Sequence, residues 1–84
     1  MEQIILDGNL LSDAARVHDY LKECFHFPEY YGKNLDALYD CLTDLEPVKI
    51  IITAPEEDGA IFQRIIRVFK AAERENHSIE LTVS

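Results

Sequence analysis

The spacing of apolar positions changes several times along the chain, and each change marks a predicted element. A short β-rich run, Gln3 to Leu6, is closed by the turn pair Asp7-Gly8. Ser12 follows as the predicted cap of a helix. The apolar stripe of that helix consists of Val17, Tyr20, Leu21, Cys24 and Phe25. The pattern therefore predicts a first strand that leads into a first helix.

A second helical stripe begins after the breaks at Pro28 and Gly32, with Asn34 as its predicted N-cap. Its apolar positions are Leu35, Leu38, Leu42 and Leu45. Pro47 ends this helix because proline cannot continue the backbone hydrogen bonds. The β-branched run Val48 to Thr53 that follows has the length of a well-buried strand.

The C-terminal part of the chain predicts one more helix and one more strand. Pro55 and the acidic segment 56–58 resemble a helix start, because carboxylates complement the positive end of a helix dipole. We expect this helix to run to about Glu75. Its apolar stripe consists of Ile61, Ile65, Val68, Phe69 and Ala72. The last strand alternates apolar and polar residues, as expected when one face meets water, and its apolar positions are Ile79, Leu81 and Val83.

These elements predict an α/β fold. Strands separated by helices pair in parallel through right-handed crossovers, and the half-polar last strand indicates that the helices lie on one side of the sheet. We therefore expect a two-layer domain with a three-stranded parallel sheet and packed helices, in the order β-α-α-β-α-β. With 84 residues the chain is too short for two cores, so residues 1–84 are expected to form a single domain.

Charge narrows the possible partners. Sixteen acidic residues stand against eight Lys and Arg, and the net charge of -8 disfavours direct contact with nucleic acid or an anionic membrane. Residues 29–58 contain eight of the carboxylates and only two basic side chains, Lys33 and Lys49. A segment of this kind attracts a basic partner.

The cysteine content and the lack of long apolar runs favour a cytoplasmic protein. Cys24 and Cys41 are too few for a disulfide framework and occupy apolar positions, which fits a reducing compartment. The longest apolar run, Ile50 to Ile52, is far too short to cross a bilayer, and no signal peptide is recognisable.

The second predicted helix carries the most informative cluster of polar residues. Helical spacing places Asp36 and Asp40 on one face, with Tyr39 and Thr43 beside them and Asp44 one turn beyond Asp40. By patterning alone, a solvated face is the favoured interpretation. A catalytic carboxylate pair is disfavoured, because acid-base catalysis requires two carboxylates in different environments. Such a face can also serve as a binding surface.

The remaining candidates for chemistry are weak. The three histidines, His18, His26 and His77, form no recognisable ligand set with the cysteines. No glycine-rich loop for phosphate is found, and the basic run on the last helix is interpreted as a solvated face. We therefore expect a binding protein without catalytic residues, metal or cofactor, rather than an enzyme.

Residues 27–43, which read FPEYYGKNLDALYDCLT, resemble the barstar family of intracellular inhibitors of secreted ribonucleases such as barnase. The order of elements matches the family over essentially the whole chain. The resemblance implies that the loop and the second helix block the nuclease active site, with the carboxylate of Asp40 replacing a substrate phosphate. It also implies that Asp36 is a second anion and that Tyr30 packs its ring on the nuclease.

By the same resemblance, Tyr39 and Thr43 border the contact and Glu75 is a peripheral acidic contact. The chain departs from the family at Tyr39 and Leu45, where barstar has tryptophan, and at Asp44, where it has glycine. The expected contact surface therefore differs at its rim. The segment between strand two and the last helix is also shorter, which leaves open whether a short helix found there in the family is present.

The resulting hypothesis is an inhibitor or immunity protein, monomeric when free, that binds a basic microbial ribonuclease. That nuclease is either secreted by the same cell or delivered as a toxin by a competitor. The expected contact residues are Tyr30, Asp36, Tyr39, Asp40, Thr43, Asp44 and Glu75. The alternative is a structural or regulatory binding module that shares the fold and binds a partner other than a nuclease.

Overall fold

The computed structural model describes residues 2–84, which form three strands and four helices. In chain order the elements are β1 (Glu2–Asp7), α1 (Gly8–Leu11), α2 (Val17–Phe25), α3 (Leu35–Thr43), β2 (Val48–Thr53), α4 (Ala60–Glu75) and β3 (Ile79–Val83). The predicted β-α-α-β-α-β order is confirmed, with the four-residue helix α1 as an addition between β1 and α2. No helix among residues 2–84 combines the length and apolarity needed to cross a membrane.

The three strands form a parallel sheet, as predicted, and their order in the sheet is β1-β2-β3. The helices cover one face, where Leu6, Ile50 and Ile52 are fully buried. The other face is open, and Ile5 on it is 60% exposed. Strand β2, predicted to be well buried, is buried on the helix-covered face, whereas the residues that point to the other face are exposed or half-buried, because no helix of residues 2–84 covers that face.

The core lies between the sheet and the apolar stripes of the three longer helices. Phe69 of α4 is its largest fully buried side chain. Fully buried leucines from the other layers pack in the same cluster and include Leu6, Leu11, Leu21, Leu38 and Leu42. The predicted stripes of α2 and α4 thus face one shared core.

The start of the helical region differs from the prediction at Ser12. The Asp7 carboxylate accepts a hydrogen bond from the backbone N–H of Asn9 at 2.9 Å and begins α1 directly at the end of β1. Ser12 instead follows α1, and its Oγ donates to the carbonyl oxygen of Gly8 at 2.9 Å. Gly8 is required here because a Cβ would lie 2.1 Å from the carbonyl oxygen of Thr53.

Helix α4 begins at Ala60, so the predicted start at Pro55 is wrong. The backbone N–H of Glu56 donates to Asn9 Oδ1 at 2.9 Å, which ties this segment to α1. The Asp58 carboxylate accepts a hydrogen bond from the side chain of Gln63. Residues 54–59 contain no helix in the structure. The predicted end of α4 at Glu75 is confirmed.

Helix α3 is fixed at both ends by asparagine side chains. Asn34 is its N-cap, as predicted, and Asn34 Oδ1 accepts from the backbone N–H of Ala37 at 2.7 Å. At the other end, Asn76 Nδ2 donates to the carbonyl oxygens of Leu42 and Leu45 at 3.2 and 3.0 Å. The exit of α3 is therefore tied to the residue that follows α4.

The predicted leucine stripe of α3 is correct only in its middle. Leu38 and Leu42 are fully buried, whereas Leu35 at the first position is 36% exposed. Leu45 lies beyond Thr43, where the helix ends, and is half-buried. The fully buried part of the stripe is therefore its middle, while Leu35 borders a recess shared with Ile61 and Ile65 of α4, and Leu45 packs against the core from beyond the helix end.

We predict that Asn76→Ala lowers the free energy of unfolding by about 1–3 kcal/mol, since it removes two donor bonds to partly buried carbonyl oxygens. Asn76→Asp should be at least as destabilising because a carboxylate would face those oxygens. Urea denaturation measures both effects. The exposed His77→Ala is the control and should change stability by less than about 0.5 kcal/mol. Equal stability of Asn76→Ala and the native chain would contradict the role of Asn76.

Candidate partner-binding site

The loop between α2 and α3, residues 26–34, places one aromatic ring in solvent between two that are buried. Phe27 and Tyr31 are 8% and 6% exposed, and their ring centroids lie 4.9 Å apart. The backbone N–H of Tyr31 donates to the carbonyl oxygen of Pro28 at 2.9 Å and closes a turn. Tyr30, inside this turn, is 88% exposed. The loop therefore presents the Tyr30 ring on an anchored backbone.

A histidine of α2 fastens the same loop. His18 Nδ1 and the Tyr31 hydroxyl oxygen are 2.7 Å apart. Burial raises the pKa of Tyr31, so its hydroxyl remains protonated and can donate to a neutral imidazole. Burial also lowers the pKa of His18 from its ordinary value of 6.5; Asp19 opposes this shift and Lys33 adds to it. The contact is thus formed with His18 uncharged near neutral pH.

Two ion pairs join the loop to α2. Lys33 Nζ lies 2.7 Å from Asp19 Oδ1, and Lys22 Nζ lies 3.2 Å from Glu29 Oε2. The hydrogen bond from Lys33 lowers the pKa of Asp19 and raises the pKa of Lys33 in return. Lys33 therefore pairs with a carboxylate of α2 and not with the carboxylates of α3.

The outward face of α3 carries its carboxylates without ion pairs. Asp36, Asp40 and Asp44 are exposed, and none of them pairs with a basic side chain among residues 2–84. Thr43 is half-buried, and its Oγ donates to the Asp40 carbonyl oxygen at 2.9 Å. Burial raises the pKa of the Cys41 thiol, and the charges of Asp40 and Asp44 raise it further. Cys41 therefore stays a neutral thiol between two carboxylates.

A surface groove brings three of the predicted contact residues together. It has a volume of about 390 Å³ and is lined by Tyr30, Asp40 and Asp44 above the buried rings of Phe25 and Phe27. An exposed tyrosine thus meets two carboxylates over an apolar base. This arrangement suits a partner that offers both positive charge and apolar surface.

The other predicted contact residues lie outside this groove. Asp36 is exposed on the first turn of α3, and Tyr39 and Thr43 are half-buried. Glu75 is exposed at the end of α4, next to Asn76, which is bonded to the end of α3. Glu75 therefore lies on the side of the molecule where α3 ends.

Two further residues, His26 and Leu45, line the groove; Leu45 was expected at the rim from the resemblance, whereas His26 was not predicted from sequence. His26 follows the last turn of α2, and Leu45 follows α3. Sequence spacing gives no signal that these two helix ends meet. Among the residues that the structure describes, histidine, cysteine and acidic side chains form no group of three that could bind a metal ion.

The fold and this surface define a small α/β protein with an unpaired acidic helix face beside an exposed aromatic ring. The family model described as Barstar (barnase inhibitor) matches residues 1–84, and the chain therefore belongs to this family. The resemblance stated from residues 27–43 is confirmed. The chain is also similar to a Bacillus subtilis (strain 168) protein named "Putative ribonuclease inhibitor YrdF", with 54% identity over 43 residues. That match covers 51% of this chain and 47% of the relative, so it spans about half of each.

We predict that the free energy of unfolding falls as the pH drops below about 6.5, because the unfolded chain protonates His18 before the folded chain does. The loss continues until the lowered pKa of the folded state is passed. His18→Gln should remove this pH-dependent loss of stability. The destabilisation caused by protonation of carboxylates should remain, because carboxylates titrate at lower pH. Urea denaturation at several pH values between about 5 and 7.5 measures it. If the native chain and His18→Gln lose stability equally over this pH range, His18 is not the group responsible.

Proposed function

We propose that the chain inhibits a microbial ribonuclease by covering its active site with the groove formed by Tyr30, Asp40 and Asp44 and the adjoining face of α3. The observation that carries the proposal is a set of exposed carboxylates without ion pairs, next to an 88% exposed tyrosine. Membership in the Barstar (barnase inhibitor) family supports the same role, as does the name of the Bacillus subtilis relative.

The chemistry is substrate mimicry. A ribonuclease active site is cationic because it must bind phosphates, and a carboxylate that is held in place replaces a phosphate oxygen in charge-assisted hydrogen bonds. In this proposal Asp40 is the anchor, and Asp36 is the second anion one turn earlier on α3. Asp40 discriminates against a partner with a neutral surface, because burying its carboxylate without a cationic group would cost several kcal/mol.

The remaining contact residues surround this anchor. Tyr30 supplies a large rigid ring, the kind of side chain that dominates the energetics of protein interfaces. Tyr39 and Thr43 border the contact, Asp44 extends its charge, and Glu75 is peripheral. In this proposal the protein is a monomer without catalytic activity that acts in the cytoplasm. It protects the cell from its own secreted nuclease or, as an immunity protein, from one that a competitor delivers.

We predict that Asp40→Asn weakens binding to the inhibited nuclease by at least about 30-fold, because truncating one member of a buried charge pair costs about 2–5 kcal/mol. The fold should be unaffected, since the Asp40 side chain is exposed. Inhibition titrations and surface plasmon resonance against barnase and other small secreted bacterial ribonucleases measure the loss, and thermal unfolding checks the fold.

The matched control is Glu57→Gln, which removes the same charge from an exposed position outside the groove. It should change affinity by less than about threefold. Full inhibition by Asp40→Asn would rule out Asp40 as the anchor. If the native chain inhibits none of the nucleases, the alternative is favoured, namely a binding module for another kind of partner. Capture of a non-nuclease protein from lysate would then identify that partner.

We also predict that the association rate constant falls steeply as ionic strength rises past about 0.1 M, where the screening length is about 10 Å. The net charge of -8 steers a basic nuclease over longer distances at low salt. The dissociation rate constant should change much less. Stopped-flow mixing at several salt concentrations separates the two rates, and salt-independent association would indicate a mainly apolar contact.

A further inference from the structure

His26 has a backbone conformation that its side chain makes unfavourable. It follows the last residue of α2 with φ 56° and ψ 43°, the left-handed conformation. Its N–H bonds to the carbonyl oxygens of Glu23 and Lys22, which closes the helix end. Glycine is the usual residue at such a position, because a Cβ clashes with the backbone there. Glycine would close the helix end at a lower cost, so the closure alone does not explain why a histidine lies here.

The rest of the fold makes no use of the imidazole. The side chain is exposed, and no hydrogen bond joins it to another of residues 2–84. Its neighbours Phe25 and Phe27 are both buried, with stacked rings whose centroids lie 5.4 Å apart. The backbone on each side of His26 is thus anchored in the core, so the imidazole is held at a defined place on the surface.

That place is the junction of two recesses. His26 lines the groove of Tyr30, Asp40 and Asp44, and it also lines an adjoining cavity of about 520 Å³. Asp44 and Leu45 likewise belong to both. The surface available to a partner therefore continues past Asp44 toward the edge of the sheet, with an imidazole and a carboxylate lining the passage.

An arginine side chain matches this pair of groups. A guanidinium stacks on planar rings and forms bidentate hydrogen bonds with a carboxylate, whereas a lysine ammonium does neither. Phe25 and Leu45, which also line the groove, offer apolar surface to the aliphatic stem of such a side chain.

We infer that His26 is a contact residue for the nuclease and that, together with Asp44, it holds an arginine of the nuclease that lies beyond the cationic groups bound by Asp40. This inference rests on the proposed inhibitory function and extends its contact surface. The unfavourable backbone conformation of His26 is retained because the imidazole is needed in the complex.

The test compares three variants with the native chain. It separates the effect of His26 on stability from its effect on binding. His26→Gly should unfold at a higher urea concentration than His26→Ala, because only glycine relieves the conformation. Both should bind the inhibited nuclease about 10-fold more weakly than the native chain, mainly through faster dissociation. His77→Ala, which removes another exposed imidazole outside both recesses, should bind like the native chain.

A double variant tests the shared arginine. If His26 and Asp44 hold one guanidinium, the loss of affinity in His26→Ala with Asp44→Asn should be smaller than the product of the two single losses. If the loss of affinity in the double variant equals the product of the two single losses, His26 and Asp44 do not hold one shared guanidinium. Native affinity in His26→Gly, or equal stability of the Gly and Ala variants, would overturn the inference about His26.

The native chain and Asp40→Asn, measured in the same assay, separate this inference from the proposed function. If Asp40→Asn loses affinity and His26→Gly does not, only the inference on His26 fails. If the native chain binds no ribonuclease of the panel, the proposed function fails, and the contact assigned to His26 fails with it.

Discussion

The burial of Phe27 and Tyr31 determines how the proposed contact surface is arranged. These two rings attach the loop between α2 and α3 to the core, and the residues between and beside them are thereby directed outward. Tyr30 is exposed within the segment that the buried rings of Phe27 and Tyr31 anchor on either side. The hydrogen-bonded contact of Tyr31 with His18 adds a polar fastening to an otherwise apolar attachment. Loss of this burial would release Tyr30, His26 and the start of α3 together.

The same loop also sets the distribution of charge. Lys33 bonds Asp19 on α2, so it leaves the face of α3 without a basic neighbour. Carboxylates four residues apart on a helix repel each other at a cost of a few tenths of a kcal/mol. Asp36 complements the helix dipole in the first turn of α3, but folding gains nothing from Asp40 and Asp44 as they stand. A surface that keeps such repulsion is stabilised when a cationic partner arrives, which is the behaviour expected of an inhibitor of a basic enzyme.

Local patterns in the sequence were sufficient for most of the fold, and the errors have a common cause. The Asn34 cap and the parallel pairing of the strands follow from neighbouring residues or from general rules of chain connection. Ser12 and Pro55 were misassigned because the side chains of Asp7 and Asn9 form the competing hydrogen bonds, and Asn9 bonds the backbone of Glu56, 47 residues away. The positions of His26 and Leu45 in the groove likewise depend on two helix ends meeting, which no local pattern encodes.

Rigidity of α3 connects the fold to the proposed affinity. An asparagine side chain fixes each end of the helix, Asn34 at its start and Asn76 at its exit. The carboxylates on its outer face therefore need little reordering when a partner binds, and the entropic cost of association is reduced. Affinity then depends on how closely the partner's cations match the fixed positions of these carboxylates. A helix held in this way favours one nuclease geometry over others, because it cannot adjust its carboxylates to a differently spaced set of cations.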